Sequence, residues 1–187
     1  MGFGREISFK YLRLDWKVSG LDRYGKQTEK RQMKRLIFTE YGKWESAGLH
    51  AIVILEEDDV YLGFFIGSTW ANPFKPSDPT KKTTMAYASI APGKYLCRFS
   101  KTAHNGKLGF DISTVDGVFN GEIPTTAPNP NQDGQMFAKN VDIHSADSDI
   151  WEGSAACLTV DRHCWPFLVK LWQEGEIGEL IVERKSA

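Results

Sequence analysis

Nucleophilic chemistry is concentrated in one stretch of the chain. Residues 143–160 read IHSADSDIWEGSAACLTV, which puts His144 thirteen positions ahead of Cys157 and the small-residue run Gly153-Ser154-Ala155-Ala156 directly before the thiol. An imidazole within hydrogen-bond reach of a cysteine can take its proton and leave a thiolate, the nucleophilic form, near neutral pH. Small residues ahead of the sulfur let the backbone turn sharply, so that N–H groups can hold the oxyanion of a tetrahedral intermediate. The spacing alone admits two readings: a cysteine nucleophile paired with His144, or a polar loop that runs into a buried cysteine.

Other residues able to do chemistry are more scattered. Cys97 lies in KYLCRF, whose alternation reads as a strand with the cysteine as a small buried apolar group. The odd count of three cysteines leaves at least one thiol free, and the absence of a CxxC pair argues against a thiolate zinc site or a thioredoxin-type centre. His163 and Cys164 are adjacent at the start of a predicted helix, where neighbouring side chains point apart. His104 sits in Ala103-His104-Asn105-Gly106, an Asn-Gly turn, and is expected to be exposed; His50 opens a strand and reads as structural. Asp142, Asp147 and Asp149 are acids that can orient His144 or meet a cation. The run lacks the spaced glycine and closing glutamate of a calcium loop, so no metal or other cofactor is expected. Trp70, Phe137 and Trp151 are candidates to line a cleft, with core packing as the default for each.

The elements that must position these residues are mainly strands. Residues 8–18, 35–42, 50–57, 59–69, 95–101 and 108–114 are rich in β-branched and aromatic residues and bounded by turn formers. A strand over 139–143 leads to His144, and 179–185 reads as a last strand. The mainly basic stretch 20–34 predicts a solvated hairpin loop. Two proline-rich segments, 71–82 and 121–135, read as long loops, the second forming a lid or rim before the His144 stretch. Trp165, Leu168, Leu171 and Trp172 recur at helical spacing within 164–175, with Pro166 tolerated in the first turn and Gly175 as a stop. The expectation is one domain over 1–187, in which 1–58 supplies N-terminal strands and the basic loop and 59–187 the catalytic core.

Composition narrows the partners. With 23 Lys and Arg against 24 Asp and Glu, the formal charge of −1 provides no field for nucleic acid. No run of about eighteen apolar residues is present to span a membrane. The N-terminus carries charge every few residues and lacks the apolar core of a secretory signal. The expected location is the cytoplasm, unless a route without a cleavable signal carries the protein out. Oligomeric state is left open.

The His144–Cys157 stretch resembles the active-site signature of the L,D-transpeptidases, the YkuD-like cysteine enzymes of peptidoglycan. That pattern is a histidine followed by a small or hydroxyl residue, a gap, then Ser-x-Gly-Cys and a short apolar strand. His144-Ser145 matches the first element, and Ser154-Ala155-Ala156-Cys157 with Leu158-Thr159-Val160 matches the second. The segment from Tyr87 to Tyr95, ending Pro92-Gly93-Lys94-Tyr95, resembles the one that opens a central strand in the family. The resemblance covers roughly residues 60–172. It implies a mainly β, sandwich-like YkuD domain with one packed helix near the C-terminus, acting on peptidoglycan stem peptides without a cofactor. It also implies Cys157 as nucleophile, His144 as base, and Ser145 as the residue whose backbone carbonyl orients the imidazole. Backbone N–H groups along Ser154, Ala155, Ala156 and Cys157 would serve the oxyanion. Trp151, as a cleft-lining aromatic, and Tyr87 are candidates to contact substrate. The acyl group passes to an amine, or to water in a carboxypeptidase or endopeptidase delivered to the cell wall by a phage or secretion system; a non-catalytic wall-binding relative is the third reading. The chain departs from the pattern at Ala156 in place of glycine, Ala155 in place of a frequent histidine, and Thr159 in place of an arginine, for which Arg162 is the nearest substitute. Alanine at 156 fits if φ is negative there and is strained if φ is positive.

Overall fold

The computed structural model describes residues 20–21, 27–28, 33–42, 49–70, 88–146 and 156–185. The chain divides into two compact units, 1–32 and 33–187. In the first, Gly20–Leu21 (β1) pairs antiparallel with Gln27–Thr28 (β2), a hairpin pairing within the basic stretch. The strand expected over 8–18 and the loop over 71–82 lie outside the described residues.

The second unit is mainly β. Lys34–Glu40 (β3), Ala51–Glu57 (β4) and Val60–Ser68 (β5) form an antiparallel meander. Gly93–His104 (β6) and Lys107–Ser113 (β7) make a hairpin across the turn at Asn105 and Gly106, both at positive φ. Asp142–Ser145 (β10), Leu158–Val160 (β11) and Ile177–Arg184 (β12) complete one sheet that closes on itself in the order β10-β11-β5-β4-β3-β12-β6-β7. The expected sandwich is therefore one closed barrel rather than two stacked open sheets. β10–β11 and β3–β12 pair parallel and the other neighbours antiparallel. β3 and β4, which precede residue 59, are staves of this same barrel.

Alternation places the core. Ala51, Val53 and Leu55 of β4 are buried while Ile52 between them is exposed, as the two-residue period of a strand requires. Leu36, Phe38, Tyr95, Cys97, Phe99, Phe110, Ile112, Leu180 and Val182 follow the same rule and join one apolar cluster. Gly67 lets β5 approach β11, because a Cβ there would collide with the Thr159 carbonyl oxygen. Among the described residues one carboxylate is fully buried: Glu40, which accepts from the N–H groups of Gly42 and Thr69, each at 3.0 Å. Arg184 donates to the Thr69 carbonyl (2.9 Å) and lies 4.1 Å over the Trp70 ring; burial pushes its pKa down to about 10, against the attraction of Glu40.

The helix is shorter than its apolar spacing predicts. Helix α1 spans Trp165–Val169, after which Leu171 and Trp172 donate to carbonyls three residues back, a tighter winding. Trp165 and Trp172 both meet Phe110 edge-on, at 5.9 and 5.0 Å between centroids, so the helix packs as expected while Leu171 turns outward.

The proline-rich segment 121–135 is not a plain loop. Ile123–Asn129 (β8) pairs with Gln135–Ala138 (β9) around a 3-10 turn at Pro130–Gln132. Its prolines are accommodated because the ladder is interrupted between Pro124 and Asn129, where a missing N–H costs nothing. Fully buried Ile123 and a bridge from Thr125 to Ile90 fix the ribbon.

Candidate functional site

The site is built from the seam where the barrel closes. β10 starts three residues later than expected, after a bend with Asn140 at φ +54°, and carries Asp142 and His144 on one side with Ile143 turned into the core. Parallel pairing sets Ile143 opposite Leu158 and His144 opposite Thr159, so Cys157, one residue earlier, falls beside Asp142. The Asp142 N–H donates to Cys157 Sγ at 3.4 Å.

His144 is buried, and its Nδ1 lies 2.7 Å from the Ser145 carbonyl oxygen. A carbonyl only accepts, so Nδ1 holds the proton and Nε2 keeps the lone pair. One donor atom from each of His144, Cys157 and a second histidine, His104, lies within 4.8 Å of the other two. The nucleophile, base and orienting carbonyl named from the sequence are thus in one place.

His104 is a correction. The Asn-Gly turn forms as expected, but His104 stands just before it as the last residue of β6 and is only partly exposed. Its ring stacks on His144, centroids 3.9 Å apart and planes 16° from parallel. Its Nδ1 is 3.1 Å from Asp142 Oδ2. Asp142 is buried, and its Oδ1 has no partner among the described residues. Burial pushes the Asp142 carboxyl up to about 6; the His104 hydrogen bond opposes this, and Asp111 across the β7–β10 pairing adds to it. Asp111 is held in turn by Arg98, at 2.7 Å. No local pattern marks His104, because it reaches His144 only through the non-local pairing of β7 with β10.

Two histidines and a cysteine are also a donor set for a borderline metal. Nearly parallel rings, however, aim their in-plane lone pairs side by side. An ion about 2 Å from both nitrogens would sit out of both ring planes.

Ala156, the residue before the thiol, is buried and adopts φ +118°, outside the wells open to a residue with a Cβ. It takes the strained alternative of the two considered. A cavity of about 610 Å³ opens onto His104, His144 and Cys157. Asn105, Asn120, Asn131 and Lys139 are among the polar residues that line it.

Ser154, Ala155, Trp151, Tyr87, Asp147 and Asp149 lie outside the described residues. Arg162 is exposed in the turn after β11, donates to His163 Nε2 at 3.3 Å, and does not line this cavity. Thr159 is buried in the β11 ladder. Trp70 lies against Arg184 and donates Nε1 to the Gly42 carbonyl, away from the cavity. Burial pushes the Cys97 thiol up to about 12, which keeps it protonated and inert.

No helix among the described residues is long and apolar enough to cross a membrane. No protein-family model matches the chain, and no curated protein or solved structure matches it either.

Proposed function

We propose that the protein is a cysteine acyltransferase of L,D-transpeptidase type acting on peptidoglycan stem peptides, with Cys157 as nucleophile and His144 as base. The observation that carries this reading is the meeting of Cys157 with an imidazole whose Nδ1 is tied to the Ser145 carbonyl. The positive φ at Ala156, where the resembled pattern has glycine, supports it as well.

In the first half-reaction His144 Nε2 takes the thiol proton, and the thiolate adds to the carbonyl carbon of a stem-peptide amide. The oxyanion collapses, the C–N bond breaks, and the leaving amine takes the proton from His144. A thioester on Cys157 remains. In the second half-reaction an amine or water attacks the acyl carbon, the C–S bond breaks, and the acceptor proton passes to a base. Amine gives transfer and water gives hydrolysis, the two outcomes anticipated from the resemblance. A bacterial cell wall reached by a phage or secretion route would be the place of action.

Incubation with tetrapeptide muropeptides tests the reading. Wild type is expected to form an acyl adduct on Cys157 by intact mass spectrometry. Cys157→Ala and His144→Gln are expected to lose turnover by at least about 10³-fold. Unchanged turnover in Cys157→Ala would refute the assignment, and products with and without added glycinamide separate transfer from hydrolysis.

A further inference from the structure

We propose that His104, anchored by Asp142, is a second general base at this site: His144 serves the thiol in the first half-reaction, and His104 takes the acceptor's proton in the second. The inference rests on the reading of Cys157 as an acylated nucleophile.

The two ring planes are 16° from parallel. Each ring engages an oxygen through Nδ1, His144 the Ser145 carbonyl and His104 the Asp142 carboxylate, and one ring nitrogen of each lies within 4.8 Å of Cys157 Sγ. The groups behind them differ in the way the two proton transfers differ. A thiol is a comparatively acidic donor, and a carbonyl-backed imidazole suffices to take its proton. Water or an amine gives up a proton only as it bonds to the acyl carbon. An imidazole backed by a carboxylate, which stabilises the charge the ring gains, is suited to that step. Asp142 is buried with Oδ1 unpartnered among the described residues, so little solvent competes for its charge.

The stack adds a constraint on timing. Two imidazolium rings 3.9 Å apart would repel, so the two proton transfers are proposed to follow one another. His144 passes its proton to the leaving amine before His104 takes one from the acceptor. As the new C–N or C–O bond forms, the acceptor proton moves to His104 Nε2, the C–S bond breaks, and the electron pair returns to Cys157 Sγ. That thiolate is then reprotonated from His104, which restores the site. Asn105 Nδ2, 3.5 Å from His104 Nε2, is an exposed side chain at the limit of hydrogen bonding that an acceptor can displace.

The test separates the half-reactions. The protein is mixed with a tetrapeptide stem substrate, and the Cys157 adduct is followed by rapid quench and intact mass spectrometry, with water alone or with glycinamide. His104→Gln is expected to acylate within about threefold of wild type but to lose its acyl group about 10²-fold or more slowly, so that the adduct accumulates. Added imidazole should restore deacylation. Asp142→Asn, which keeps the ring, should show the same pattern to a smaller degree, and it decides the matter if His104→Gln does not fold. Equal slowing of both half-reactions, or deacylation at the wild-type rate, overturns the proposal. Absence of any adduct in wild type overturns the reading of Cys157 as nucleophile and this proposal with it.

Discussion

Replacing Ala156 by glycine tests the backbone on which the thiol is presented. A residue with a Cβ held outside its normal wells costs on the order of 1–3 kcal/mol, and Ala156 stands at φ +118°. Glycine removes that cost. Against the gain, glycine loosens the unfolded chain by about 0.4–1 kcal/mol, and the buried methyl forfeits about 0.8 kcal/mol of burial. The terms nearly cancel, with about 0.5 kcal/mol in favour of glycine at mid-range values. Ala51→Gly is the control, since Ala51 is equally buried but sits in β4 without positive φ. There only the losses apply, and the variant should be destabilised by about 1–2 kcal/mol. Denaturant unfolding of the two variants should therefore differ by about 2 kcal/mol, equivalent to roughly 4–8 °C in midpoint for a chain of this size. If Ala156→Gly is as damaging as Ala51→Gly, the chain does not pass through positive φ at this point, and the account of the turn before Cys157 fails.

Two further perturbations bear on buried carboxylates. Asp142 holds its proton more tightly in the folded chain, at a pKa of about 6, than unfolded, so its ionisation costs stability as pH climbs from about 4 to about 6. Asp142→Asn should therefore gain on wild type across that window, by on the order of 1–3 kcal/mol, in urea unfolding run as a pH series; a gain that grows towards acid would have the wrong sign. Glu40→Ala strands the Gly42 and Thr69 N–H groups and leaves Arg184 without its counter-charge, and should cost about 3–5 kcal/mol. A fall in the thermal midpoint of under about 2 °C would contradict that role.

The parts of the fold written in local pattern were readable in advance. β3, β4, β5, β6, β7 and β12 fall where β-branched and aromatic residues cluster between turn formers, a composition suited to a pleated, half-buried surface whatever it later pairs with. His144 and Cys157 were legible as residue types in one polar stretch, their spacing leaving the contact open, and Ser145 through the pattern they resemble. His104 was not. An Asn-Gly turn reports its own geometry and nothing about the strand that closes over it. The ribbon of β8 and β9 was hidden by Pro124 and Pro128, whose missing N–H groups argue against a strand unless the ladder happens to break between them, as it does here. Barrel closure likewise depends on pairings of strands far apart in sequence, which alternation cannot register.

The parallel register of β10 and β11 has a consequence for variation. The distance between base and thiol is a property of rungs in a ladder, with Ile143 held opposite Leu158 and His144 opposite Thr159. Whatever length of chain joins Ala146 to Ala156, those rungs keep the imidazole and the sulfur at the same separation. Insertions and deletions between the two halves of the signature are therefore cheap, whereas a slip of one rung would turn Ile143 outward and His144 into the apolar interior. The constancy of such a site belongs to the seam of the barrel, and the count of residues between its two halves is free to drift.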